Sequence, residues 1–287
     1  MDVIAFFNEE LGYFLLTIGF VSIFIGSFLN VVIYRLPRMM DQSWSEECRI
    51  YLGLKPQVEP EKLSLALPPS HCPHCKKPIK PWHNIPILSY LWLQGKCADC
   101  GTPISMRYPF VEALTCILSV YIAMRFGVTW QMIGALFFTW ICICLTFIDL
   151  DHQLLPDQLT LLLLWLGLFF SLFNLFTNSH DAIIGAIAGY SIFALTQYLF
   201  FAATGKTGMG QGDYKFLAGI AGFLGWQMIP FVILIASLTG IIFALTQMTL
   251  KRSFKSTPIP FGPYLAVAGW IALIWGDEVL NAYLQLF

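Results

Sequence analysis

The chain has 287 residues, of which 57% are hydrophobic, 16% aromatic and only 11% charged, with a mean hydropathy of +0.69. That composition excludes a soluble globular domain and indicates a polytopic membrane protein. The formal net charge of −1 says little by itself and no nucleic-acid partner is expected, so the placement of the charges carries the information.

Residues 1–10 are acidic without a basic residue, and residues 11–34 are free of charge. No small-residue cleavage pattern closes that run, so it is read as a retained span and not as a signal peptide. A helix needs about 20 apolar residues to cross a bilayer. Residues 126–148, 158–176 and 182–203 meet that length, 260–276 makes the last span when extended past Asp277 and Glu278, and 108–124 is shorter and carries Glu112 near its start. The stretch 216–250 is uncharged over 35 residues, too long for one span, and Gly225, Trp226, Gln227 and Pro230 predict a break near its middle. A short helix from about Asp213 and a full one from about Pro230 follow. The expected fold is therefore all-α, with about eight transmembrane helices.

Charge arbitrates between seven spans and eight. With eight, 15 of the 16 Lys and Arg residues fall on one side and only Arg125 on the other. The positive-inside rule makes the crowded side cytoplasmic. The predicted organisation is a first transmembrane helix over 1–34, a cytosolic domain over 35–107 and a transmembrane catalytic bundle over 108–287. The middle segment is too poor in apolar residues for a large core. Its stretch from Asp41 to about Pro69 is expected to be irregular, and no internal repeat is read from the chain.

Within that segment Cys72-x2-Cys75 and Cys97-x2-Cys100 are separated by 21 residues, a spacing close to that of zinc ribbons and knuckles. Lys76, Lys77 and Lys96 can offset thiolate charge. Four sulfur ligands leave no open position, so the expected Zn2+ is structural and holds together a domain too small to stabilise itself. A reducing cytosol argues against disulfides. His71, His74 and His83 are not needed as ligands. Cys116, Cys142 and Cys144 lie in apolar runs and behave as small hydrophobes, while Cys48 is isolated.

Two carboxylates stand at the edges of apolar runs. Asp149 ends one run, and Asp213 follows the alternating glycines Gly208, Gly210 and Gly212. A carboxylate at a bilayer edge is costly and marks a functional position. Two that meet cannot easily both ionise and share one proton, which is the basis of acid–base proteolysis. Simpler roles compete: Asp213 as a helix cap, Asp157 as the N-cap of the next helix, and Asp151 as a solvated charge. His152 has no evident nucleophile beside it.

Taken together, several pieces resemble one family: Gly26-Ser27-Phe28-Leu29-Asn30-Val31-Val32 running into Tyr34-Arg35-Leu36-Pro37, the double cysteine pair, Arg107-Tyr108-Pro109 with Val111-Glu112, the Asp149 turn, and residues 208–215. In that joint order the chain resembles the type IV prepilin peptidases, bifunctional leader peptidases and N-methyltransferases of the bacterial inner membrane. The last two spans carry little of the signature. The resemblance implies that Asp149 and Asp213 are the catalytic pair, with Gly210-x-Gly212-Asp213 the motif shared with other intramembrane aspartic proteases. It implies prepilins and type II secretion pseudopilins as substrates, cut after a glycine that ends a short basic leader. The new N-terminal residue, usually phenylalanine, would then be methylated from S-adenosylmethionine. No glycine fingerprint of a soluble methyltransferase is present, so the methyl-donor site is not located. The alternatives are a proton-coupled transporter using Asp149, Asp213 and Glu112, and a non-enzymatic assembly factor. No similarity between two halves supports the transporter.

Overall fold

The computed structural model describes residues 10–54, 63–251 and 260–285; residues 1–9, 252–259, and 55–62 within the stretch expected to be irregular, lie outside them. Among the described residues the chain is helical, with two isolated β-bridges and no strand. The helices are α1 (Leu11–Tyr51), α2 (Leu88–Trp92), α3 (Arg107–Phe126), α4 (Trp130–His152), α5 (Asp157–Ser171), α6 (Ser179–Thr204), α7 (Gln211–Leu224), α8 (Ile229–Lys251) and α9 (Gly262–Leu284). Six of them, α1, α3, α4, α6, α8 and α9, are long and apolar enough to cross a membrane. The other two long helices, α5 and α7, have 15 and 14 residues. At ~1.5 Å per residue both fall short of the ~30 Å hydrocarbon thickness. This is an all-α polytopic membrane protein with a cysteine cluster between its first two spanning helices.

The chain forms two compact units, residues 1–128 and 129–287. Thus α3 belongs with α1 and the cysteine segment, whereas the sequence grouped it with the bundle from residue 108.

In the first unit, α1 runs for 41 residues, well beyond the expected span at 11–34. Residues 41–51, expected to be irregular, are its last turns. Pro37 removes one backbone N–H, and the helix continues through it to Tyr51. Gly53 takes φ +66°, the left-handed conformation that ends helices. Small residues let α1 approach α3: a Cβ on Gly26 would stand 2.8 Å from the Glu112 Cα. Further along the same interface, the buried Asn30 donates from Nδ2 to the Tyr108 carbonyl at 3.1 Å. Arg35 is also buried, and its guanidinium donates to the carbonyls of Ser64 (2.9 Å) and Pro68 (2.7 Å).

In the second unit, α4 begins at a Thr129 cap that accepts the Met132 N–H at 3.1 Å. It stops at Gln153, whose φ of +52° turns the chain. Between α5 and α6 lies α7, every residue of which from Asp213 to Phe223 is buried except Lys215. Its backbone is approached closely on both sides. A Cβ on Gly167 of α5 would stand 2.8 Å from the Phe223 backbone, and one on Gly185 of α6 would collide with the Ala221 carbonyl. Wrapped in this way, α7 needs neither a polar face nor the length of a lipid-facing span. The predicted break in 216–250 is a turn at Gly225 (φ +91°) and a short 3-10 helix, Trp226–Met228. Asp181 at the start of α6 anchors it, accepting from Trp226 Nε1 at 3.1 Å and Gln227 Nε2 at 2.9 Å. The span expected at 158–176 is shorter than predicted, since α5 ends at Ser171.

Candidate active site and metal centre

In the second unit, Asp149 stands in the last turn of α4 and Asp213 in the first turn of α7. Both are withdrawn from solvent, at 5% and 8% exposure. They are near enough for the charge of one to act on the other. Asp149 Oδ2 accepts the N–H of Gly262, the first residue of α9, at 2.9 Å. Asp213 Oδ1 is buried and has no hydrogen-bond partner among the described residues. In a native fold such an orphan acceptor calls for an explanation, and a hydrogen-bonding ligand is one.

Leu155, in the turn between α4 and α5, is the wedge against which the site is built. A Cβ on Gly212 would stand 2.7 Å from the Leu155 Cβ and 3.2 Å from its carbonyl. A Cβ on Gly262 would stand 2.9 Å from Leu155 Cδ2 and 2.7 Å from Asp149 Oδ2. Absence of a side chain at these two positions lets α7 and α9 close on the α4–α5 turn. Gly210 differs: it is the N-cap of α7, and a Cβ there would lie 3.5 Å from Asp213 Oδ2, an ordinary contact. Of the two glycines singled out with Asp213, only Gly212 therefore has a steric reason. Gly262 was not singled out. Its only sequence signal is a glycine directly before Pro263 at a span entrance.

The helix-cap reading of Asp213 does not hold, because Gly210 is the cap residue and makes no side-chain bond. Nor is Asp157 an N-cap. Pro156 occupies that position, and the Asp157 carboxylate is held by Lys215 Nζ at 2.6 and 2.7 Å, linking α5 to α7. Asp151 and His152 are exposed. Glu112 belongs to the first unit, where its Oε2 accepts the Ile87 N–H at 2.8 Å.

The first unit also holds the cysteine cluster. All four Sγ atoms of Cys72, Cys75, Cys97 and Cys100 lie within 4.8 Å of one another, and none forms a disulfide. The Cys72 and Cys100 sulfurs are 3.8 Å apart. Tetrahedral coordination at a metal–sulfur distance of about 2.3 Å places sulfurs about 3.8 Å apart. The donor set therefore fits a metal ion.

Two similar turns build it. Each has the pattern Cys-x-x-Cys-x-x-Pro-Ile, at 72–79 and at 97–104, a local repeat that the sequence reading missed. In each, the first cysteine's N–H bonds to the residue before the proline: Cys72 to the Lys77 carbonyl at 3.0 Å, and Cys97 to the Thr102 carbonyl at 2.9 Å. Each needs one left-handed residue after its second cysteine, Lys76 at φ +60° and Gly101 at φ +70°. Lys77 and Asp99 join the turns by an ion pair at 3.0 Å. Hydrogen bonds from the Thr102 side chain and backbone bring the Cys100 thiol down to about 6. Cys75 is pushed up to about 11: bonding to the Lys77 backbone lowers it, but desolvation and the neighbouring thiols outweigh that effect.

Two family models match the chain: the bacterial peptidase A24 N-terminal domain over residues 20–126, and the type IV leader peptidase family over residues 136–245. A prepilin leader peptidase/N-methyltransferase of Pseudomonas aeruginosa is 49% identical over 99% of this chain and 97% of its own length. The chain belongs to the type IV leader peptidase family. An Aeromonas hydrophila protein of the same name is 50% identical over 96% of this chain and 95% of its own, and one of Legionella pneumophila is 45% identical over 94% of each. No solved structure matches. Both aspartates fall within the leader peptidase match, and all four cysteines fall within the N-terminal match.

Proposed function

We propose that this member of the family is a membrane aspartic endopeptidase that removes the short basic leader of prepilins and pseudopilins after a glycine. It then N-methylates the new N-terminal residue. The observation that carries the peptidase reading is the convergence of two buried carboxylates, 64 positions apart in sequence, on the turn at Leu155. Asp149 and Asp213 are the catalytic pair. One carboxylate takes a proton from the attacking water, and the protonated partner polarises the scissile carbonyl. Buried orientation on the ends of two helices that both pack against α5 and α9 keeps both in place without solvent reorganisation.

Membership of the family, with relatives named for both activities, supports the paired peptidase and methyltransferase reading. It gives no support to the proton-coupled transporter. The protein is assigned to the bacterial inner membrane, with the cysteine domain and the aspartates on the cytoplasmic side, because 15 of the 16 basic residues fall there if the chain changes sides at eight helices, the short α5 and α7 included. A basic leader held in the cytoplasm would present its junction with the apolar pilin helix at that boundary. Residues 1–34, 35–107 and 108–287 are assigned as first span, metal domain and transmembrane bundle, the bundle's first helix, α3, packing on α1 and its catalytic aspartates lying in residues 129–287. Cys72, Cys75, Cys97 and Cys100 would hold a structural Zn2+, since four thiolates close its coordination sphere and leave no place for substrate. S-adenosylmethionine is the methyl donor that the family implies.

The test is cleavage of a prepilin by the purified protein. Asp149→Asn and Asp213→Asn should each abolish leader removal while the helical circular dichroism and the melting temperature remain those of the wild type. Normal cleavage by either variant rejects the paired-acid mechanism.

A further inference from the structure

The second activity has no site among the features described so far, and the first unit holds one costly feature that proteolysis does not use. Glu112 is its only buried carboxylate among the described residues, 7% exposed on a helix that crosses the membrane. A buried carboxylate is normally paired with a cation, and this one is not. Its hydrogen-bond partner is neutral, the Ile87 N–H. The unit's buried cation, Arg35, is engaged instead by the carbonyls of Ser64 and Pro68.

A second cost falls on the same point. Ile87, which donates to Glu112, has φ +58°. A β-branched residue there is a true outlier, and such strain collects where a ligand is held. A second acceptor lies close by. Asn30 is four residues after Gly26 on α1, and Tyr108 is four before Glu112 on α3, so the Asn30–Tyr108 contact is one helical turn from the close approach of Gly26 to Glu112. Asn30 uses Nδ2 for the Tyr108 carbonyl, and its amide oxygen is an acceptor by chemistry. One carboxylate and one amide oxygen on facing helices form an acceptor pair for a cationic N–H group.

We propose that Glu112, with Asn30 Oδ1, binds the α-ammonium group of the cleaved substrate and that Glu112 takes one proton from it before methyl transfer. This rests on the bifunctional reading above. The deprotonated nitrogen uses its lone pair to form the new N–C bond to the methyl of a sulfonium donor. The C–S bond breaks with its electron pair left on sulfur, and the acquired proton leaves through Glu112 to solvent. Glu112 and Asn30 thus become residues of the methyl-transfer step and not of the hydrolysis.

The experiment compares wild type, Glu112→Gln, Glu112→Asp and Asn30→Ala in full-length protein. Gln keeps an oxygen for the Ile87 N–H and removes only the charge, so a purely structural latch would be little changed. Leader removal is followed by mobility, and methylation by the mass of the new N-terminus. In Glu112→Gln, methyl transfer should fall at least ~100-fold, the usual contribution of a general base, with leader removal within about twofold and metal content unchanged. Glu112→Asp should recover part of the rate. Without donor, wild type should bind an apolar peptide with a free N-terminal phenylalanine about tenfold more tightly than its N-acetylated form, and Glu112→Gln and Asn30→Ala should lose that preference.

Full methylation by Glu112→Gln overturns the proposal. So does retained discrimination between the two peptides combined with weakened binding of S-adenosylmethionine in equilibrium dialysis, which would assign the carboxylate to the sulfonium instead. If the wild type itself cleaves but never methylates, the bifunctional reading fails rather than this one.

Discussion

Replacing Gly262 by alanine tests the geometry of the aspartate site without touching either carboxylate. The new Cβ would stand 2.7 Å from Asp149 Oδ2, and ordinary contact begins at 3.4 Å, so the carboxylate must retreat by ~0.7 Å or α9 must lift from the turn. Retreat is obstructed by Leu155, itself 2.9 Å from the added carbon, and it stretches the 2.9 Å bond from the Gly262 N–H. Misplacing a catalytic group by about 1 Å costs about 100-fold, so kcat for leader removal should drop ~10- to 100-fold, or ~1.4 to 2.7 kcal/mol in the barrier. KM should change little, because substrate contacts elsewhere are untouched. The assay is single-turnover cleavage of a prepilin, with Gly12→Ala as control, since nothing lies within 4 Å of a Cβ there. Wild-type kcat in Gly262→Ala would show that Asp149 is not held at a reacting position by α9, and the argument from this site would fail.

Further outcomes follow from the same structure. Gly212→Ala should lose at least ~10-fold in cleavage, because its Cβ meets the Leu155 Cβ and carbonyl, which cannot rotate away. Gly210→Ala should stay within about twofold, having only an ordinary contact to make; equal losses from both would refute the steric distinction. In metal-depleted protein at pH 7, Cys100, with its thiol at about 6, is mostly thiolate, while Cys75, at about 11, is mostly thiol. Mass spectrometry of alkylated peptides should find Cys100 modified before Cys75, with both protected when metal is bound. Metal binding requires deprotonated thiols, so zinc should be released on acidification. Replacing all four cysteines should abolish zinc binding, and unchanged zinc content would refute the ligand assignment. Lys215→Met should alter stability by no more than about 1 kcal/mol, since the Lys215–Asp157 pair is partly exposed at 26% and 54%; a larger shift in the melting temperature would mark it as an organising contact of the site.

Membrane residence, the helical class and the grouping of the four cysteines were legible from residue order alone. Apolar run length, thiol spacing and a carboxylate at a bilayer edge are local signals, and a lipid environment makes each of them costly enough to be informative. Packing decided the remainder. The continuation of α1 to Tyr51 depended on where the next glycine could adopt positive φ, and Pro156 took the cap that local pattern gave to Asp157. Gly262 behind Asp149 is marked in the sequence only as a glycine before Pro263, and Leu155 between the two glycines not at all, because each matters only through an atom brought to it from more than fifty residues away. Close approach between distant backbones is a property of three-dimensional space, and a one-dimensional pattern records it only as an unexplained absence of side chains.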